Sequence, residues 1–131
     1  MFLWRAAGKP EPETSVSKFS DVSSNHKYVK AILWASENKI ANGFKDGTFL
    51  PDESCTRGQI VTFIWRYMGM PKPKATQSSF SDVKKTHVYF KQIMWASEKG
   101  VTKGYADGTF RPDAFCNRAQ CATFIYRALQ L

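Results

Sequence analysis

Gly43-Phe44-Lys45-Asp46-Gly47-Thr48-Phe49-Leu50-Pro51-Asp52, leading into Cys55-Thr56-Arg57-Gly58-Gln59, is written twice in this chain. The second copy is Gly104-Tyr105-Ala106-Asp107-Gly108-Thr109-Phe110-Arg111-Pro112-Asp113, leading into Cys116-Asn117-Arg118-Ala119-Gln120. Each copy reads as a glycine-punctuated turn that delivers the chain to a capped helix. Asp46-Gly47 and Asp107-Gly108 are turn dipeptides that take positive φ at little cost. Thr56-x-x-Gln59 and Asn117-x-x-Gln120 have capping-box spacing, in which the cap oxygen takes a first-turn amide and the glutamine reaches back. In both copies the first helical residue is an arginine, Arg57 or Arg118.

The duplication extends well beyond the turns. Phe19-Ser20-Asp21-Val22 returns 61 residues later as Phe80-Ser81-Asp82-Val83, and the same shift carries His26 to His87 and Trp34-Ala35-Ser36-Glu37 to Trp95-Ala96-Ser97-Glu98. No gap is needed, and about half of the aligned positions are identical. Phe2-Leu3-Trp4-Arg5 maps onto Phe63-Ile64-Trp65-Arg66 by the same shift. Residues 1–14 are therefore the tail of a truncated preceding repeat, residues 15–75 a whole repeat and residues 76–131 another, expected to fold as one compact unit. Pro10-Glu11-Pro12 and Pro71-Lys72-Pro73 read as stiff linkers.

Each repeat reads as helix, turn, helix. Asn25 and Thr86 are placed to cap a first helix of roughly fourteen residues ending before Gly43 or Gly104, either glycine suiting a left-handed terminus. Ile32, Leu33 and Ile40, and Ile93, Met94 and Val101, follow helical spacing. The second helices carry core stripes of Ile60, Phe63, Ile64 and Tyr67, then Cys121, Phe124, Ile125 and Ala128. Nothing supports a sheet, so the fold class is all-α.

Composition narrows the function classes. Hydrophobic content of 43% over 131 residues argues for a folded domain. A net charge of +8 favours an anionic partner: nucleic acid, an acidic wall polymer, an anionic membrane surface or an acidic protein. No apolar run approaches the ~18 residues of a membrane span. No charged segment followed by an apolar one opens the chain, so no signal peptide is visible. The three cysteines are an odd count for a disulfide framework, and Cys55 and Cys116 read as small buried residues before the caps.

Catalysis finds no constellation here. His26 and His87 are lone histidines suited to capping or packing, no zinc or calcium spacing occurs, and no phosphate loop or nucleophile elbow is present. No cofactor is expected. A cation in the first helical turn opposes the helix dipole by about 0.3–1 kcal/mol, so its recurrence at Arg57 and Arg118 suggests a compensating gain. Guanidinium forks beside free helix-start amides make an anion site. The alternative is a local ion pair with Asp52 or Asp113.

At these residues the sequence resembles the S-layer homology family, whose signature joins Phe-x-Asp-Val, a helix, Gly-Tyr-x-Asp-Gly-Thr-Phe-x-Pro and Thr-Arg-Ala-Glu or Thr-Arg-Ala-Gln. The resemblance implies tandem helix-turn-helix repeats around a pseudo-threefold central helix bundle, here incomplete. It also implies non-catalytic binding of an anionic, often pyruvylated, secondary polymer of the bacterial cell wall. Arg57 and Arg118 would then grip the acidic substituent on equal terms, with Gln59 and Gln120 beside them. Gly43, Asp46, Gly47, Gly104, Asp107 and Gly108 would shape the groove. Lys27 and Val88 stand where many members carry tryptophan, which removes a face for sugar stacking. Asn117 replaces the motif threonine, and Gly58 its alanine.

Two further readings stay open. The charge, the unpaired cysteines and the lost tryptophans also suit an intracellular protein binding nucleic acid or a nucleoprotein, such as a phage-borne inhibitor of a bacterial nuclease. The stub suits a homo-oligomer in which a second copy completes the bundle. As part of a larger secreted protein the chain would lie at the bacterial surface; as a complete gene product it would be cytoplasmic.

Overall fold

The capping boxes legible in the sequence start the two longest helices. In a computed structural model describing residues Met1–Leu131, the elements are α1 (Phe2–Ala6), α2 (Val29–Glu37), α3 (Arg57–Tyr67), α4 (Phe90–Glu98) and α5 (Arg118–Leu129). The fold is all-α; the sole extended pairing is an isolated bridge between Thr56 and Phe115. The Thr56 hydroxyl accepts from the Gln59 amide at 3.2 Å, and the Gln59 carbonyl accepts from the Thr56 amide at 2.9 Å. Asn117 and Gln120 reproduce both bonds at 2.8 and 3.2 Å.

The first helix of each repeat is shorter than its sequence suggests, and Asn25 and Thr86 do not cap it. α2 and α4 span 9 residues each, beginning after Tyr28 and Tyr89. The preceding residues are spent in tight turns, and a histidine ring nitrogen serves as the local acceptor. Nδ1 of His26 takes the Tyr28 amide at 3.1 Å, and Nδ1 of His87 takes the Tyr89 amide at 3.0 Å. Both helices end early because the chain must turn Ile40 and Val101 into the core. It does so through the paired bonds of a Schellman stop: Ile40 to Ala35 and Lys39 to Ser36, repeated by Val101 to Ala96 and Gly100 to Ser97. The left-handed residue is Lys39 (φ 56°) in one copy and Gly100 (φ 72°) in the other. Gly43 and Gly104 also adopt positive φ, further on in the loop.

Two packing units result, Met1–Glu53 and Ser54–Leu131, and their boundary falls inside a sequence repeat. In the first, α1 packs on α2, and Phe19, Val22 and Ile32 form a cluster sealed by Tyr28, Val29 and Phe49. In the second, α3 packs on α4 and α5 around Val61, Ile64, Ile93, Met94, Trp95 and Phe110. The buried face of α3 is rotated from the expected stripe: Val61 is wholly buried, whereas Ile60, Phe63 and Tyr67 are half-buried. α1 and α3 share one tertiary tie after the helix. Trp4 Nε1 donates to the Pro10 carbonyl at 2.9 Å, as Trp65 does to Pro71 at 2.8 Å.

Candidate functional site

The repeated turn is held by carboxylates. Both oxygens of Asp21 accept the Phe49 and Leu50 amides, at 2.8 Å each, and Asp82 accepts those of Phe110 and Arg111 at 2.8 and 2.7 Å. This is the work of the aspartate in the Phe-x-Asp-Val segment. Within each turn, Asp46 or Asp107 accepts the backbone amide and hydroxyl of the threonine two residues on, at 3.0 and 2.6 Å. Donors crowding the carboxylate favour its charged form. The Thr109 bonds, helped by the Arg111 guanidinium, hold Asp107 down to about 2, and the Thr48 bonds likewise lower Asp46. Gly43 and Gly104 are required twice over. Each has φ near +70°, and a Cβ would lie 2.4 Å from the Phe19 or Phe80 ring.

Arg57 is withdrawn from solvent, with only 4% of its surface exposed. Its Nε donates to the Phe110 carbonyl at 2.8 Å, and its guanidinium carbon lies 4.7 Å from the ring centres of Tyr105 and Phe110 and 5.1 Å from that of Phe124. Each ring face offers about 0.5–2 kcal/mol to a cation, more as water is excluded. The cage lowers the guanidinium pKa through burial, yet an arginine stays protonated throughout the working pH range. Neither Asp52 nor Asp113 pairs with it; Lys30–Glu11 and Arg111–Asp107 are ion pairs formed elsewhere in the structure. Its terminal nitrogens make no hydrogen bond, and since no fully buried side-chain polar atom lacks a partner, they keep contact with solvent.

That contact is through an open cleft of about 420 Å³ lined by Arg57, Lys103, Gly104, Tyr105, Asn117, Gln120 and Arg127 among others. Tyr105 is its fixed wall. The ring lies between Arg57 and Arg111, the latter 3.8 Å from its centre, and its hydroxyl accepts from Gln120 Nε2 at 3.2 Å. Arg111 is tied in turn to Asp107 at 3.1 Å. The cleft thus gathers three cations, amide and hydroxyl donors, and an aromatic face.

Of the residues singled out in the sequence, Arg57, Gly104 and Gln120 meet in this cleft, and Asp107 supports its wall through Arg111. Arg118 is exposed and makes no hydrogen bond or ion pair. Gln59 spends its carbonyl on the cap of α3, and Gly43, Asp46 and Gly47 build the first turn. Lys103, Tyr105 and Arg127 also line the cleft and are not among the site residues read from the sequence. The signal was available for Tyr105, which stands where the first copy has Phe44. The three cysteines are reduced and half-buried rather than fully buried, and burial raises each thiol, Cys121 to about 11. No cluster of three or more His, Cys, Asp or Glu side chains suited to a metal forms, and no helix is long and apolar enough to cross a membrane.

Two tandem units, each a clamped turn feeding an arginine-started helix, define a class of helical repeat protein. The S-layer homology domain matches residues 18–61 and 79–122, and the chain belongs to that family. It is 30% identical over 125 residues to cell surface glycoprotein 1 of Acetivibrio thermocellus, covering 88% of this chain and 5% of that protein. The cellulosome-anchoring protein of the same organism is 32% identical over 116 residues, covering 86% of this chain and 26% of the relative. A cell surface protein of Thermoanaerobacter kivui is 32% identical over 119 residues, covering 88% and 16%. The chain therefore spans about a quarter or less of the length of these relatives.

Proposed function

We propose that this chain is a non-catalytic module that attaches a bacterial surface protein to an anionic polysaccharide of the cell wall, with Arg57 as the central contact. The observation that carries this reading is a caged guanidinium without a carboxylate partner, opening on a cleft that also presents Lys103 and Arg127. A compact acid such as a pyruvyl ketal on a sugar would meet the Arg57 fork, with the two flanking cations adding longer-range attraction. Hydroxyls of the sugar would find Asn117, Gln120 and Thr123. Similarity to a cellulosome-anchoring protein and two cell-surface proteins supports surface attachment.

The test is co-sedimentation or calorimetry with purified wall polymer, before and after chemical removal of its acidic substituents. Binding should require those substituents. Arg57→Lys, which keeps the charge and loses the planar fork, should weaken binding about tenfold or more. Lys103→Ala, at an exposed position, should weaken it about two- to fivefold. Arg118→Ala should change it little, because that residue lies outside the cleft. Failure of the wild-type chain to bind the polymer, with a salt-sensitive shift on DNA or RNA instead, would move the reading to a nucleic-acid partner.

A further inference from the structure

The residues before the two capping boxes bring a pair of thiols together within one packing unit, Ser54–Leu131. Thr56 and Phe115 meet in the isolated antiparallel bridge. It is flanked by two backbone bonds of 2.9 Å, from the Cys116 amide to the Cys55 carbonyl and from the Arg57 amide to the Ala114 carbonyl. In that register Cys55 stands directly opposite Cys116. Residues so opposed project from the same face, and at a hydrogen-bonded position their Cα atoms lie about 5.5 Å apart. Disulfides span Cα separations of about 4.4–6.8 Å, so the backbone is already within bridging range. Both side chains are half-buried, open enough for a small reagent to reach. Cys121 lacks such a setting. It lies inside α5, where no strand pairing sets it against either of the others, and burial raises its thiol to about 11. Burial raises Cys116 as well, but the Arg57 guanidinium counters that rise and favours the nucleophilic thiolate.

We propose that Cys55 and Cys116 are a reversible cross-linking site, joined and parted by thiol–disulfide exchange with a small-molecule disulfide. The Cys116 thiolate attacks one sulfur of the reagent and expels the other as a thiolate. The Cys55 thiolate then attacks the Cys116 sulfur of the mixed disulfide, forming the Cys55–Cys116 bond and expelling the second reagent thiolate. Two protein thiols are oxidised and one reagent disulfide is reduced to two thiols, which take up the two protons the protein gives up. The bond joins residues 61 positions apart and fastens the start of α3 to the start of α5. Closing so long a loop removes freedom from the unfolded chain, so the oxidised form is the more stable one. The inference does not depend on what the cleft around Arg57 binds.

The test equilibrates the 131-residue chain with oxidised and reduced glutathione, alkylates the remaining thiols and maps cross-links by mass spectrometry without reduction. The folded chain should yield mainly the Cys55–Cys116 link, with Cys121 alkylated. Its thermal midpoint should rise by about 5–15 °C and fall back when a reductant is added. Cys121→Ser should oxidise and stabilise as the wild type does, whereas Cys55→Ser and Cys116→Ser should show no such rise. In urea, loop closure favours the nearer partners, so the unfolded chain should link Cys116 mainly to Cys121. A switch of pairing between the two conditions shows that the fold selects Cys55. A folded chain that joins Cys121 to either thiol as its main product overturns the proposal. So does one that stays reduced, or stops at the glutathione adduct, in a buffer that oxidises the unfolded chain.

Discussion

The turns at residues 43–53 and 104–114 share their clamps and differ in their cover. Both have an aspartate across two amides, a second aspartate on the threonine and a glycine over a phenylalanine ring. The second turn is sealed by Arg57 and braced by Arg111, whereas the first has Leu50 in place of Arg111 and leaves Phe44 exposed. The shared parts therefore make the turn, and the unshared ones decide what it can hold. An arginine over the rings turns a hairpin of loop into the wall of a cationic cleft.

The largest expected effect tests the shared parts. Gly104→Ala combines a left-handed backbone with a Cβ driven into Phe80, and should destabilise by about 2–4 kcal/mol in chemical denaturation. Gly43→Ala should cost as much, while Gly47→Ala, which meets open space at φ +84°, should cost only about 1–2 kcal/mol. Equal costs at Gly43 and Gly47 would show that the phenylalanine seat is not rigid. A smaller loss, about 1 kcal/mol, is expected for Thr56→Ala through its capping box, with Asn117→Ala similar. Should the helix starts differ in worth, these two values would part.

The next comparison sets Lys39 against Gly100, two solutions to one left-handed helix stop. Lys39→Gly should stabilise by about 0.5–1 kcal/mol, seen as a rise of the thermal midpoint, since glycine removes the Cβ strain at some entropic cost. The smallest effect concerns acid. Asp107 is held at about 2, below its ordinary 3.8, so its contribution is present in full above about pH 4 and is lost as the pH falls toward 2. Asp107→Asn should flatten the fall of the thermal midpoint across that window more than Asp46→Asn does, because Arg111 has no counterpart in the first turn.

The repeat was legible because its copies align without a gap, and the caps of α3 and α5, the turns and the all-α class because each depends on residues a few positions apart. The first helices were misjudged for an instructive reason. Asn25 has the right chemistry for a cap, but the ring of the next residue, His26, takes the Tyr28 amide instead, and the inward turn of Ile40 ends the helix early. The cleft was only half legible. Arg57 stood out through its place at a helix start, but its cage depends on Phe110, more than fifty positions away, and no local pattern specifies which ring will lie beside it. The two arginines are equivalent in spelling and unlike in surroundings, a difference made by tertiary packing alone.

The offset between repeat and packing unit bears on how such arrays can be cut and recombined. A gene fusion made at the Pro71-Lys72-Pro73 linker respects the written repeat but parts α3 from α4 and α5, leaving Val61 and Ile64 stripped of the partners that bury them. A junction after Glu53 keeps those helices together. Shuffling between relatives should therefore succeed more often at the turn than at the linker, and what is inherited as one module is, in folding, half of two.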